Sequence, residues 1–328
     1  MNQLVSKNQE QHLQLGSVSL PMPILVQSHG PQASRRFIEF FTAHIRNRNT
    51  REAYGRAVRD FFDWCDGSGV GPLIDIEAVH IAAYIEQLTD LHAPQTVKQK
   101  LAAIKALFDF LVTGGVLTAN PASAVRGPRY STRKGTTPIL MPDEAKQLIR
   151  SIPTDTISGL RDRAIISTMI YSFARVSATL GMDVKDVYPK HRRLWIRLAE
   201  KGGKHHEVPC NHNLEEYLQE YIDKAGLTEG PLFRTLRGRS DHLNDKRLLR
   251  RECLAMIKRR CKRAGLENAS LLSNHSFRGT GITAYLKNPD SKLENAQLIA
   301  GHSDPKTTRL YDRRDEDISL DEVEKIGI

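Results

Sequence analysis

The segment from Asn120 to Pro138 divides this chain of 328 residues into two regions with different patterns. It contains three prolines and two glycines and no acidic residue. Because proline removes a backbone donor and both residue types favour turns, we expect no helix or strand to run through it. The chain is long enough for two domains, each with its own core. The sequence therefore predicts two domains joined by a linker over residues 121–137.

The region before the linker has the pattern of a small helical domain. Residues 1–30 are rich in Gln and Ser and show little periodicity, so we expect a flexible tail or an irregular cap. Over residues 31–120 the apolar positions recur at helical spacing. Asn49 and Glu52 have the spacing of a capping box that begins one helix, and Pro94 precedes another. We therefore predict a bundle of four short helices.

The region after the linker mixes helices with a small sheet. A proline and two acids directly after Met141 predict the start of a helix. Two short stretches, 194–198 and 206–209, predict strands joined around the basic turn 201–204. Residues 234–263 contain twelve Lys or Arg against three acids and predict at least one long basic helix. The whole chain is thus expected to be mainly α with a small β-sheet.

The charge of the chain favours a polyanionic partner. The formal net charge is +10 and the pI is about 9.5, and each phosphate that a basic protein neutralises releases condensed counterions. DNA or RNA is therefore favoured over a membrane surface, although any one basic stretch could be an ordinary solvated face. The candidate DNA contacts are Lys98, Lys105, Arg126, Arg129, Arg133, Lys134, Lys204, Arg247, Arg250 and Arg251.

The cysteines and the N-terminus indicate a reduced, cytoplasmic protein. The four cysteines form no C-x-x-C pair and no regular disulfide framework. The first 30 residues lack a charged stretch followed by an apolar core, and no apolar run reaches about 18 residues. We expect no membrane partner. The cysteines are Cys65, Cys210, Cys253 and Cys261.

The most informative residues in the second region are two arginines, two histidines and one tyrosine. Two guanidinium groups can hold a phosphoryl group by paired, charge-assisted hydrogen bonds. Histidines can move protons near neutral pH, and a tyrosine hydroxyl can attack phosphorus. Each residue alone is a weak signal, but their order along the chain favours phosphoryl transfer. The five residues are Arg175, His275, Arg278, His302 and Tyr311.

With these residues in this order, the chain resembles the tyrosine recombinase or phage integrase family, in its simple two-domain form. The resemblance covers about residues 33–328 and implies a helical, SAM-like core-binding domain over 31–120. It also implies an α+β catalytic domain of the DNA breaking-rejoining type over 138–314. The matching stretches are Phe173–Ser177, Lys201–Lys204 before Val208 and Pro209, His275–Arg278, and Ile299–His302 leading to Thr307, Thr308 and Tyr311.

The resemblance implies a chemistry that needs no metal and no cofactor. Tyr311 would attack a DNA phosphate, leaving a 3′-phosphotyrosyl bond and a free 5′-hydroxyl. Arg175 and Arg278 would stabilise the transition state. His302 would donate a hydrogen bond to a non-bridging oxygen, and His275 would assist proton movement at the tyrosine.

A lysine at the turn between the two predicted strands would protonate the departing 5′-oxygen. Lys201 and Lys204 are both candidates, and the family pattern favours Lys201, with Glu200 standing where the family usually has a glycine. The chain departs from the family at Ala178, where an acidic residue normally orders the site. Asp183 and Asp186 are possible substitutes.

Local signals also place parts of the site. Ser273 and Asn274 are plausible capping residues, which would put His275 and Arg278 in the first turn of a helix, where its dipole favours an anion. Asp304 and the proline after it predict a helix that carries Tyr311 about two turns in, near its end.

The implied function is a site-specific DNA recombinase of bacterial cytoplasm, associated with the nucleoid. It would act as a homotetramer on double-stranded DNA sites, passing through a Holliday junction, and could be a monomer in solution. The acidic segment 315–328 would dock on a neighbouring protomer or, alternatively, pack on its own domain. A type IB topoisomerase and a catalytically inactive DNA-binding relative are the alternatives. The DNA target and the biological task, integration, resolution or inversion, do not follow from the sequence.

Overall fold

The computed structural model describes residues 12–129, 137–200, 203, 205–238, 240–302 and 304–311. The chain divides into two compact units, Met1–Ser131 and Thr132–Ile328, and the division falls within the predicted linker. Each unit has its own large apolar core. In the described residues no helix is long and apolar enough to cross a membrane.

The N-terminal unit is a helical bundle with a short hairpin packed on it. The five phenylalanines Phe37, Phe40, Phe41, Phe61 and Phe108 are fully buried at its centre and meet in edge-on or tilted ring contacts. The elements are β1 (His12–Leu15), β2 (Val18–Pro21), α1 (Ile24–Ser28), α2 (Pro31–Glu39), a π-helical turn (Phe40–His44), α3 (Arg48–Gly67), a 3-10 turn (Leu73–Asp75), α4 (Ala78–Leu91) and α5 (Pro94–Thr113).

The expected flexible tail over residues 1–30 is wrong for the part of it that the structure describes. Strands β1 and β2 pair antiparallel around a two-residue turn that begins with Gly16 at φ +69°. Leu15 and Leu20 from this hairpin are buried in the bundle core, as is Val26 from α1. The strands are only four residues long, so their alternation gives little periodic signal.

Two further boundaries differ from the sequence predictions. Helix α3 is capped by Asn47, whose side chain accepts from two backbone N–H groups, rather than by Asn49. Glu52 instead accepts hydrogen bonds from Ser17 in the turn of the hairpin. The first residues of the predicted linker belong to the N-terminal core, because Ala122 and Val125 are buried in it.

The C-terminal unit packs helices around a small antiparallel sheet. Its central strands pair as a hairpin with Ala199 opposite His205, so residues 200–204 form the connection, as predicted. The elements are α6 (Pro142–Ser151), α7 (Ile157–Tyr171), α8 (Val176–Gly181), a 3-10 turn (Val184–Asp186), β3 (Val187–Lys190), β4 (Arg193–Ala199), β5 (His205–Pro209), α9 (His212–Lys224), β6 (Arg234–Leu236), β7 (Leu243–Arg247), α10 (Arg250–Arg263), α11 (Asn274–Leu286), α12 (Leu293–Ala300) and α13 (Pro305–Arg309).

The basic stretch 234–263 is only partly helical. Strands β6 and β7 form a two-stranded hairpin, and the helix begins at Arg250. Helix α10 is held to α7 by a buried ion-pair cluster, in which the carboxylate of Asp162 accepts from Arg161 and Arg260 at 2.8–3.1 Å. This cluster fixes the packing of two helices that flank the site described next.

Candidate active site

Arg278 is the most buried charged residue of the candidate site. It lies in the second turn of α11, and its side chain is fully enclosed. One amino group donates to the carbonyl of Phe173, and the other donates to the carbonyl of Ala300 at 2.7 Å and meets Nε2 of His302 at 2.6 Å. Burial and the nearby Arg175 lower the pKa of Arg278 to about 10, which still leaves it charged at neutral pH. The guanidinium is therefore fixed in one orientation by three groups from two segments of the chain.

Phe173 is held in an unusual backbone conformation that serves this arginine. Its φ of +53° lies in the left-handed region, which costs a residue other than glycine about 1 kcal/mol or more. That conformation directs its carbonyl to Arg278, while its ring packs with Ile282 and Leu286 in a small apolar cluster. Such local strain next to a charged side chain is typical of functional sites.

Arg175 lies two residues after Phe173 and occupies the N-cap position of α8, where its side chain makes no capping hydrogen bond. Its side chain is about one-third exposed (32%), in contrast to that of Arg278. It donates to the carboxylate of Glu200 at the end of β4, forming a close ion pair whose acidic partner is buried. The two arginines are near enough for each to lower the pKa of the same histidine, so the site presents two guanidinium groups to one small region.

His302 links the buried arginine to the segment that carries the tyrosine. Since arginine cannot accept a hydrogen bond, Nε2 of His302 must accept from Arg278. Nδ1 then carries the proton and donates to the hydroxyl of Thr308 at 2.8 Å. Burial, Arg278 and Arg175 lower the pKa of His302 to about 3, so the imidazole is neutral at pH 7.

Tyr311 lies beside these groups, two residues after the end of α13. The helix begins at the predicted place, with Asp304 as its N-cap, but it is shorter than two turns. The tyrosine ring stacks parallel to the His302 ring, with centroids 6.3 Å apart and planes 7° apart. The hydroxyl of Thr283 donates to the Tyr311 carbonyl at 3.0 Å.

Gly279 leaves the space that the Tyr311 ring occupies. A Cβ at this position would lie 3.2 Å from the Tyr311 ring and 2.8 Å from the side chain of Ile139. Any larger residue would therefore push the tyrosine or its neighbour away. The glycine one turn into α11 is explained by this close approach.

His275 occupies the first turn of α11, as predicted, and its ring is exposed. Partial desolvation, followed by Arg250, Arg278 and Arg175, lowers its pKa. A neutral imidazole next to several cations can accept a proton from a nearby hydroxyl. Its exposure leaves it accessible to a substrate on the surface of the unit.

The hairpin that carries the two candidate lysines approaches the same region. Lys201 and Lys204 lie outside the described residues. Nε2 of His206 on β5 donates to the carbonyl of Ile299 at 3.0 Å. Gly301 has φ +58° and ends α12, and the side chains of Glu200 and His206 lie within 3.6–3.7 Å of the position that a Cβ there would take.

Neither aspartate proposed to replace the missing acid at Ala178 reaches Arg175. Asp183 pairs with Arg247 at 2.5 Å, and the Asp186 carboxylate accepts from the Asp183 backbone. Ala178 itself is buried in the apolar core. Glu200 is the carboxylate that contacts Arg175, and in the sequence it was notable only as a departure from a glycine. Its only sequence signal was the appearance of an acid where the family pattern has none.

The predicted DNA contacts separate into exposed and engaged side chains. Arg247 is engaged within the fold, because it donates to the carbonyls of Leu180 and Met182 as well as to Asp183. Lys105 donates to the carbonyl of Ser123 at 3.1 Å. Arg133, Lys134 and Lys204 lie outside the described residues. The exposed candidates are Lys98, Arg126, Arg129, Arg250 and Arg251.

The assembled groups have the composition of an oxyanion site with a nucleophile. Two guanidiniums, two imidazoles and a phenol come from α8, α11, the end of α12 and the segment after α13. Such a cationic site stabilises negative charge that develops on a bound phosphate. Among the described side chains, no group of three or more His, Cys, Asp or Glu is arranged to hold a metal ion.

Comparisons with known proteins identify the family. The sequence matches the phage integrase family over residues 138–317 and the N-terminal SAM-like domain of phage integrases over 34–113. It is 28% identical over 277 residues to the tyrosine recombinase XerD of Corynebacterium glutamicum, covering 80% of this chain and 86% of that protein.

Two solved structures share the fold. The XerH site-specific recombinase bound to its difH substrate aligns with a TM-score of 0.65 at 16% identity, covering 97% of this chain and 99% of that one. A lambda integrase tetramer bound to a Holliday junction aligns with a TM-score of 0.65 at 17% identity, covering 88% and 79%. The match over both units and the five assembled side chains lead to one conclusion: the chain belongs to the phage integrase family of tyrosine recombinases and is a site-specific DNA recombinase.

Proposed function

We propose that Tyr311 is the nucleophile that breaks one DNA strand and keeps the bond energy in a 3′-phosphotyrosyl link. The observation that carries the proposal is the placement of its ring on His302, which in turn bonds to the buried Arg278. A phosphate held at the two arginines would then lie beside the tyrosine. The 5′-hydroxyl of a partner strand then attacks the phosphotyrosyl bond, releases Tyr311 and seals a recombinant strand. The reaction therefore consumes no ATP and requires no metal.

Arg278 and Arg175 divide the work of binding the phosphate. Arg278 is preorganised by carbonyl groups and needs no rearrangement when charge develops on the non-bridging oxygens. Arg175 is more exposed and meets the phosphate from the surface. Removal of either guanidinium therefore lowers the cleavage rate more than the DNA affinity.

His302 changes its hydrogen bonding when the phosphate arrives. Without DNA, Nε2 accepts from Arg278 and the ring is neutral. A bound phosphate offsets the positive charge of the two arginines, which raises the pKa of His302 and lets Nε2 carry a proton. The histidine then donates to a non-bridging oxygen. His275, which is neutral and exposed, accepts the proton that leaves the Tyr311 hydroxyl.

A lysine of the β4–β5 connection protonates the 5′-oxygen as it leaves, and we assign this role to Lys201. The test uses a substrate with sulfur at the bridging 5′ position, because a thiolate leaves without a proton. Lys201→Ala should cleave normal DNA slowly and the sulfur-containing DNA at the wild-type rate. If the sulfur-containing DNA restores the cleavage rate of Lys204→Ala but not that of Lys201→Ala, the role belongs to Lys204.

The central experiment traps the covalent intermediate. The wild-type protein and Tyr311→Phe are incubated with a duplex of its recombination site that carries a nick near the cleavage position, so the short 5′-hydroxyl fragment diffuses away. The wild type should accumulate a protein–DNA adduct, whereas Tyr311→Phe should bind the DNA and form none. An adduct with Tyr311→Phe would show that another residue is the nucleophile.

The same experiment separates the alternatives. An inactive DNA-binding relative would form no adduct with any variant. A type IB topoisomerase would form an adduct and relax supercoiled plasmid without sequence preference, whereas a recombinase requires its site. Neither alternative gains support from the relatives and folds described above.

We further propose that the enzyme is a cytoplasmic, nucleoid-associated protein that assembles as a homotetramer on two DNA sites. The exposed residues Lys98, Arg126, Arg129, Arg250 and Arg251 contact the phosphate backbone. Support for the assembly comes from the lambda integrase tetramer on a Holliday junction, whose fold this chain shares.

Segment 315–328, which lies outside the described residues, would join neighbouring protomers. Deletion of residues 316–328 should leave the binding of a single protomer to DNA unchanged and reduce cooperative assembly in gel-shift and recombination assays. If cooperativity is unchanged, the segment does not join protomers and instead packs on its own domain.

A further inference from the structure

We infer that Glu200 is the acidic positioning residue of this active site, taking the role that Ala178 cannot fill. The inference rests on the proposed function, because it concerns how Arg175 is held for the phosphate. Ala178 has no carboxylate and is buried among apolar side chains. Glu200 forms an ion pair with Arg175, and its own side chain is 7% exposed.

The position of Arg175 shows why it needs a partner. It occupies the N-cap position of a helix of only six residues, and about one-third of its side chain is exposed. A long, exposed arginine samples many rotamers, and fixing it costs conformational entropy. A carboxylate with well-matched geometry restricts the guanidinium and leaves its remaining N–H groups for a phosphate. Arg278 obtains the same restriction from the carbonyls of Phe173 and Ala300.

Glu200 also connects Arg175 to the hairpin that carries the candidate lysines. It immediately follows β4 and directly precedes Lys201. Its Cγ lies 3.7 Å from the position that a Cβ on Gly301 would take, and His206 on β5 bonds to the carbonyl of Ile299. One residue therefore joins the first arginine, the start of the lysine-bearing turn and the end of α12 before His302.

The charge of Glu200 also acts on the rest of the site. Arg175 lowers the pKa of Arg278 by repulsion, and Glu200 opposes that effect. Oε2 bonds to Arg175, whereas Oε1 is buried and has no hydrogen-bond donor among the described residues. A buried carboxylate oxygen without a donor is unfavourable, so Oε1 is suited to accept a second hydrogen bond when DNA is bound.

The test compares Glu200→Gln with the matched control Glu207→Gln. Glu207 is on the other strand of the same hairpin and also pairs with an arginine, Arg197, but this pair is more exposed and lies apart from Arg175. On the nicked recombination-site duplex, Glu200→Gln should form the covalent adduct about 10-fold to 100-fold more slowly, with DNA affinity changed less than about threefold. Glu207→Gln should match the wild type, and Glu200→Asp should recover part of the rate.

A double-mutant cycle shows whether Glu200 acts through Arg175. In an Arg175→Ala background, Glu200→Gln should change the adduct rate by less than about twofold, because its target is absent. An undiminished effect in that background would overturn the inference. So would a faster reaction of Glu200→Gln, which would mean that the carboxylate competes with the phosphate for Arg175.

Failure of the proposed function would look different. If the wild-type protein and every variant formed no adduct, the assignment of Tyr311 as the nucleophile would be wrong. Coupling between Glu200 and Arg175 would still be measured by urea unfolding of the same four proteins. If the two substitutions change the free energy of unfolding additively, Glu200 and Arg175 are not coupled, and the proposed ion pair does not form.

Discussion

The two units of this protein differ in what their interiors are made of. The described core of the N-terminal unit contains aliphatic, aromatic and cysteine side chains, with phenylalanines at its centre. Apart from the hydroxyl of Tyr84, every described buried polar or charged side chain lies in the C-terminal unit, from Arg161 in α7 to Thr308 in α13. An apolar core requires only volume and pattern, whereas a polar interior requires that each donor and acceptor has a partner. The unit that holds the chemistry is therefore the one with the more specific interior.

The largest difference should appear when a core residue is replaced by one of the same shape. Asp162→Asn keeps the shape but breaks the buried ion pairs with Arg161 and Arg260, and should lower the free energy of unfolding by about 3–5 kcal/mol. Leu107→Met in the N-terminal core conserves volume and should cost less than about 1.5 kcal/mol.

Each of the two units contains one tryptophan, which makes this comparison measurable. Trp64 is in α3 and Trp195 is in β4, and the chain has no other tryptophan. With one of them replaced by Phe, urea unfolding followed by fluorescence reports the stability of a single unit. Equal losses from Asp162→Asn and Leu107→Met would contradict the difference between the two interiors.

The next largest effect is expected on catalysis. Arg278→Lys keeps the charge but loses the planar fork that bonds the carbonyls of Phe173 and Ala300 and meets His302. The rate of adduct formation should fall about 10²-fold to 10³-fold, equivalent to about 2.7–4 kcal/mol. The control is Arg192→Lys on the surface of the same unit, which should stay within about threefold of the wild type. A mild effect at both positions would mean that charge alone suffices.

A smaller effect should follow from removing one hydroxyl. Thr308→Val has nearly the same shape but leaves the Nδ1–H of His302 without an acceptor, at a cost of about 1–3 kcal/mol. The variant should be less stable and should cleave DNA more slowly, because the imidazole is no longer held in one tautomer. Thr307→Val is the neighbouring control. If both variants behave alike, the hydroxyl of Thr308 does not orient His302.

The smallest effect is a pH dependence of stability. His302 has a folded pKa of about 3, below its usual value of 6.5, so the unfolded chain binds the proton more readily between these values. The free energy of unfolding therefore falls as the pH decreases through this window, by about 1 kcal/mol between pH 6.5 and 5.5. His302→Asn should remove that part of the slope in urea unfolding. A slope that survives in His302→Asn belongs to other groups.

The sequence predicted most of what depends on pattern. Helical spacing and start signals located α5 and α6, and the two strands predicted around the basic turn located the β4–β5 hairpin. Sequence reasoning missed the β1–β2 hairpin, since four-residue strands carry little periodic signal, and treated the β6–β7 hairpin as part of a basic helix. It also assigned a DNA contact to Arg247, whose partners are backbone carbonyls far away in the chain.

The site shows the same division between local and long-range information. The identities and order of Arg175, His275, Arg278, His302 and Tyr311 were visible in the sequence, because residue type and spacing carry them. Their hydrogen-bond partners were not, because Phe173 is about 100 residues from Arg278. The substitute for the missing acid at Ala178 likewise depended on which carboxylate the fold brings to Arg175.

What the sequence determined by itself is the division into two domains and the family to which the chain belongs. The two-domain division follows from composition and periodicity, whereas the family follows from the resemblance of the motifs around Arg175, Arg278 and Tyr311 to those of tyrosine recombinases. Only the tertiary structure decided that His302 is neutral, that Arg247 is engaged within the fold, and that Glu200 pairs with Arg175. The physical reason is that protonation and ion pairing depend on burial and on distances between segments, which a linear sequence does not contain.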